Sequence, residues 1–108
     1  GVMASQGRNR VAFNKTASGD LVAAVTGGRI QVYGISIVCS ASFTVSINDG
    51  SGGTALWGPV DFQAGAGMVY PEGDWPMLNH TTKATALYLT LTGTGNVGGH
   101  ISYTVEGL

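Results

Sequence analysis

The chain has 108 residues and a net charge of −1, and only 10% of its residues are charged, against about 25% in an ordinary soluble domain. One hydrophobic core accounts for this length, and a near-zero net charge excludes a general nucleic-acid or membrane-surface binder, since both depend on a basic field. With 44% hydrophobic residues the chain is not a disordered tail, and with 18 glycines on a near-neutral surface it has little to keep subunits apart.

Taken in chain order, the opening residues are basic. Residues 1–15 carry Arg8, Arg10 and Lys15 and no acid, a charge of +3, whereas the remainder carries Arg29 and Lys83 against six acids, a charge of −4. Residues 1–19 are therefore expected to form an N-terminal basic arm plus a first strand, and 20–108 the body of a single domain. The opening GVMASQGRNR lacks the apolar middle of a secretory signal, so a chain made and used in soluble form is expected.

Short strands come next. Val, Ile, Thr, Tyr, Phe and Trp fill 36 positions, while Glu, Lys and Arg fill 7, too few to furnish the polar faces of helices. Arg10 to Lys15 places Val11 and Phe13 on one side. Leu21 to Thr26 is apolar on both sides, as in a strand covered on both faces, and Gly27-Gly28 then predicts a tight hairpin. Arg29 to Cys39 turns Ile30 and Val32 inward, then Ile35, Ile37 and Cys39; that change of phase beside Gly34 predicts a β-bulge. Phe43, Val45 and Ile47 alternate with Thr44, Ser46 and Asn48, before a flexible turn over Asn48 to Gly53.

Gly58-Pro59 is expected to break a strand at Trp57, with Val60, Phe62 and Ala64 alternating beyond it. Gly67 to Tyr70 adds a short strand, and Pro71 to Thr85 is the longest irregular stretch. Leu87, Leu89 and Leu91 alternate with Tyr88, Thr90 and Thr92, and Ile101, Tyr103 and Val105 alternate with Ser102, Thr104 and Glu106. About eight short strands at this spacing predict an all-β fold, an antiparallel β-sandwich or jelly-roll-like barrel.

Catalytic and cofactor chemistry finds no constellation. Gly93-Thr94-Gly95-Asn96-Val97-Gly98 fits the dinucleotide fingerprint formally, but the residues after Gly98 read as a strand rather than the helix that a pyrophosphate requires; a glycine-rich hairpin between the last two strands is expected instead. His80 and His100 lie far apart with no acidic cluster, so no metal site is expected. No serine sits in a nucleophile elbow, and Glu72 and Asp74 share one turn rather than flanking a cleft. Cys39 follows the inward phase of its strand, as a small core residue does. Trp75 reads as the buried anchor of its loop, with the alternative that Tyr70, Glu72, Asp74 and Trp75 form a ligand loop using the indole as a sugar-stacking platform. No enzyme and no cofactor are expected.

The order of motifs in the second half carries a resemblance. Thr54-Ala55-Leu56-Trp57-Gly58-Pro59-Val60 is followed by Gly65-Ala66-Gly67-Met68-Val69-Tyr70-Pro71, then Asp74-Trp75, Ala86-Leu87-Tyr88-Leu89 and Val97-Gly98-Gly99-His100-Ile101-Ser102-Tyr103. This resembles the small β-sandwich modules of tailed-bacteriophage virions, over roughly Arg29 to Val105. The resemblance implies a capsid decoration (cement) protein or a head- or tail-fibre domain, commonly a homotrimer, with the major capsid protein as partner and the virion's capsid surface, after synthesis in the host cytoplasm, as its location. It implies no catalytic residues, no nucleic acid and no membrane. The short chain favours decoration over fibre, with Arg8, Arg10 and Lys15 as the arm contacting an acidic capsid surface; a receptor- or carbohydrate-binding fibre module is the alternative.

Overall fold

Alternating apolar residues build two facing sheets in the computed structural model, which describes residues 8–78 and 82–107. The strands are β1 (Asn9–Lys15), β2 (Gly19–Val22), β3 (Arg29–Cys39), β4 (Phe43–Asp49), β5 (Ala55–Phe62), β6 (Gly67–Tyr70), β7 (Leu87–Thr92) and β8 (Val97–Glu106). One sheet has the order β1-β8-β3-β6 and the other β2-β7-β4-β5, antiparallel throughout. First pairs with last, second with seventh, third with sixth and fourth with fifth, which is the wrapping of a jelly roll. The expected antiparallel sandwich forms. The barrel does not, because the two sheets share no strand pairing among the described residues and remain separate layers.

The inward phase of the central strands makes the core. Ile30, Val32, Ile35, Ile37 and Cys39 of β3 meet Phe43, Val45 and Ile47 of β4, Leu87 and Leu89 of β7, and Val97 and Ile101 of β8, all buried. The phase change in β3 is real: Val32 pairs with Tyr103 and Gly34 with Ser102, leaving Tyr33 as the extra residue of a bulge.

Several connections differ from expectation, for one topological reason. Gly27-Gly28 and Gly93–Asn96 make no hairpins, because each link carries the chain from one sheet to the other. Val25 to Gly28 is still a turn, with Gly28 N–H donating to Val25 O at 2.9 Å and Gly27 at φ 78°. Of the stretch Leu21 to Thr26, only Leu21 and Val22 lie in β2, and Ala23 and Ala24 beyond it are exposed, so it is not a strand covered on both faces. Gly58-Pro59 does not break a strand either. β5 runs through it as a bulge, because Val45 pairs with Val60 and Ile47 with Trp57, leaving two residues opposite Ser46.

Candidate functional site

The outer face of the β1-β8-β3-β6 sheet brings together three of the candidate site residues, Arg8, Arg10 and Glu72. Register aligns Arg10 with Ser102 and Gly34, Ala12 with His100, Ser36 and Val69, and Asn14 with Gly98, Val38 and Gly67. The first row is covered. A Cβ at Gly34 would stand 2.9 Å from Glu72 Cα and N and 3.1 Å from Tyr70 O, so the chain leaving β6 crosses directly over this glycine.

That crossing delivers Glu72 to the arginines. Arg10 Nε and Nη2 donate to its two carboxylate oxygens at 3.0 and 2.6 Å, a bidentate fork, and Arg8 Nη1 donates at 3.1 Å. Arg8 also lies over the Tyr33 ring, 4.0 Å from its centroid, a contact made possible by the bulge that turns this tyrosine out of phase. Arg10 foremost, then the nearby Ser102 hydroxyl, hold the Glu72 carboxyl at about 2; desolvation opposes them, and Arg8 adds a lesser lowering. Ser102 Oγ nevertheless completes no hydrogen bond of ordinary geometry, and neither does Thr104 Oγ1; both are buried on this face.

Beyond Glu72 the loop is pinned twice to β3. Gly73 N–H donates to Tyr33 O at 3.4 Å and Met77 N–H to Val32 O at 2.7 Å, and Leu78 bridges to Val32 and enters the core. Asp74, Trp75 and Pro76 are the residues left between these ties. Trp75 is 83% exposed, so it does not anchor the loop: Leu78 and Met77 take that place, and the indole is presented to solvent. Tyr70, the other aromatic of the alternative ligand loop, is also exposed.

The three basic residues of the opening segment therefore separate by role. Arg8 and Arg10 are engaged with Glu72, and Lys15 lies at the far end of β1 with its Nζ near Gly19. Arg8 and Arg10, read as a contacting arm, and Glu72, read as part of an alternative ligand loop, form one cluster. Tyr33, Ser102 and Thr104 belong to this place without any local pattern that marks them. In the neighbouring rows Val38 and Val69 are exposed beside Ala12, Ser36, Asn14 and His100. Their signal is present in outline, since both valines sit on the outward phase of their strands.

Ser36 Oγ accepts the His100 backbone N–H at 3.2 Å and meets Nδ1 at 2.8 Å. His80 lies outside the described residues. Cys39 is fully buried, and burial pushes its thiol pKa up. No group of three metal-ligating side chains occurs among the described residues.

The opposite outer face is a ladder of hydroxyls. Asn48 Oδ1 accepts from Ser46 at 2.8 Å and Thr90 at 2.7 Å, and Asp61 accepts from Thr44 at 2.7 Å. At its end lies an open hollow of about 350 Å³, lined by Ser42, Phe43, Thr44, Asp61, Phe62, Gln63 and Thr92. Compared with protein-family models, curated proteins and solved structures, the chain matches none.

Proposed function

We propose that this chain is a structural protein of a tailed-phage virion, a capsid cement or decoration protein that binds the outer head surface and stabilises the shell. One observation carries the reading beyond the motif resemblance. The outer face of the β1-β8-β3-β6 sheet has no Asp, Glu, Lys or Arg in the two rows past Arg10, is low in relief at Gly67 and Gly98, and leaves Val38 and Val69 exposed in adjacent rows of neighbouring strands. Such a surface suits a broad contact with another protein, where charge at the centre is costly and apolar side chains are favoured. A protein that binds only the assembled shell stabilises it by mass action.

The decisive experiment adds purified protein to expanded, undecorated heads and images the particles. Binding at regular surface positions, lost in a Val38→Asp, Val69→Asp double variant, is the expected result. Heads that stay bare, or virions that lack the protein, overturn the reading.

A second reading rests on Trp75. An exposed indole on a loop tied at both ends is a preorganised stacking platform, and double-sheet jelly rolls serve lectins as well as capsids. A receptor- or carbohydrate-binding fibre module would bind glycans on an array through Trp75 and lose them on Trp75→Ala. No saccharide binding at roughly millimolar concentration removes it.

A further inference from the structure

The four sheet edges are unequally guarded against an added strand. β5 carries Pro59 and two breaks of register against β4, β2 is four residues long with a shift against β7, and β6 is four residues long. β1 differs from all three in length and regularity, and its charges are Arg10, paired with Glu72, and Lys15 at its end. Its seven residues run in unbroken register with β8, it holds no proline, and no strand pairs with its outer edge among the described residues. A long, regular, unpaired edge is a template for another strand. β1 also carries an apolar side chain that its own sheet leaves uncovered: Val11 lies on the inward phase opposite Ile101, yet it is 43% exposed.

We propose that β1 is a self-association edge, at which β1 of a second copy pairs antiparallel across a two-fold axis at Ala12 and joins two four-stranded sheets into one of eight strands. The register is set by symmetry. A two-fold axis perpendicular to the sheet keeps every residue on its own face, and the pairing that uses the whole strand centres on its midpoint, Ala12.

In that register the strand is self-complementary. Val11 meets Phe13 of the second copy on the inward face, twice by symmetry, which covers the exposed valine with an apolar partner. Arg10 meets Asn14, Asn9 meets Lys15, and the small Ala12 meets itself on the axis. No like charges stand opposite one another. The two Arg10 residues are four positions apart along the strands, on the order of 13 Å, and each is already compensated by its own Glu72. Seven paired residues make a small interface, so the contact is weak in dilute solution and effective where copies are held close together.

A register-specific disulfide reads this contact directly. In Ala12→Cys, a mild oxidant at high protein concentration is expected to give a covalent dimer of twice the chain mass, with Cys39 uninvolved because it is fully buried. Asn14→Cys alone gives none, because its two copies lie four positions apart. Val11→Lys, introduced alongside Ala12→Cys, slows the cross-link by roughly tenfold or more by removing both apolar pairs and placing a lysine on the edge. Circular dichroism of each variant checks that the sandwich is intact. Cross-linking of Asn14→Cys as fast as Ala12→Cys, no cross-link at residue 12 in a folded variant, or a trimer as the associated species overturns the pairing.

Discussion

Glu72 rests on Gly34: the glycine's missing side chain is the space its backbone occupies, with Cα and N both 2.9 Å from where a Cβ would stand. This contact brings the loop after β6 across the outer face of β3 and sets the carboxylate within reach of Arg10 and Arg8. A position in the middle of one strand thus determines where the acid of a distant loop meets the first strand.

Gly34→Ala is accordingly expected to destabilise the fold by about 1–3 kcal/mol, the usual cost of forcing an extra methyl against backbone that cannot easily give way. Urea denaturation measures it. The same variant should make 71–78 more susceptible to proteolysis in the folded protein, since the ties at Gly73 and Met77 must shift with Glu72. Unchanged stability and unchanged cleavage would show that the loop does not depend on this contact.

The arginine cluster gives the molecule an acid-sensitive contribution. Arg10 foremost, with Ser102 and Arg8, lowers the Glu72 pKa from 4.5 to about 2 in the folded state. A depressed folded pKa stabilises above the unfolded value and loses that contribution as pH falls through the folded one, so the window lies between about pH 4.5 and 2. Glu72→Gln should flatten the fall in stability across this window while leaving the profile above it parallel to the wild type. Melting temperatures measured through the acid range check the difference.

How much of this could be read from the sequence depends on the range of the interaction. The bulge in β3 is legible because one extra residue flips the phase of a whole apolar run, from Ile30 and Val32 to Ile35, Ile37 and Cys39. Pairing is not, because a glycine turn looks the same whether it joins neighbours in one sheet or carries the chain across the core. Gly27-Gly28 and Gly93–Asn96 are both of the second kind. The meeting of Arg10 with Glu72, 62 positions away, depends on β6 pairing with β3 and on Gly34 being bare, neither of which is local. Trp75 shows the converse limit: its apolarity predicts burial, but a loop already anchored by Leu78 leaves the indole outside.

Because that indole packs on nothing in the core, Trp75→Ala should change stability by no more than about 0.5 kcal/mol. Trp57 behaves differently, being stacked on Phe62 with ring centroids 6.2 Å apart and packed against the core. Acrylamide quenching separates the two, with the accessible fraction of tryptophan fluorescence lost in Trp75→Ala and retained in Trp57→Phe. A large loss of stability in Trp75→Ala would show that the loop holds the indole against the body.

Asp49 anchors the segment leading into β7. From the end of β4 it accepts the Thr82 backbone N–H at 2.7 Å on one oxygen and the Thr82 hydroxyl on the other. The adjoining Gly50 N–H donates to Ala86 O at 2.9 Å, so the β4–β5 turn grips this segment at two places. Removing the carboxylate leaves the Thr82 donors to water rather than buried, and the cost of Asp49→Ala is set by lost charge-assisted bonds alone, about 1–2 kcal/mol. Asp49→Asn keeps one acceptor and should recover part of that loss, an ordering that denaturation midpoints resolve. Amide exchange at Thr82 should quicken in both variants, and more in the alanine, while the central pairs of β7 with β4 keep their protection.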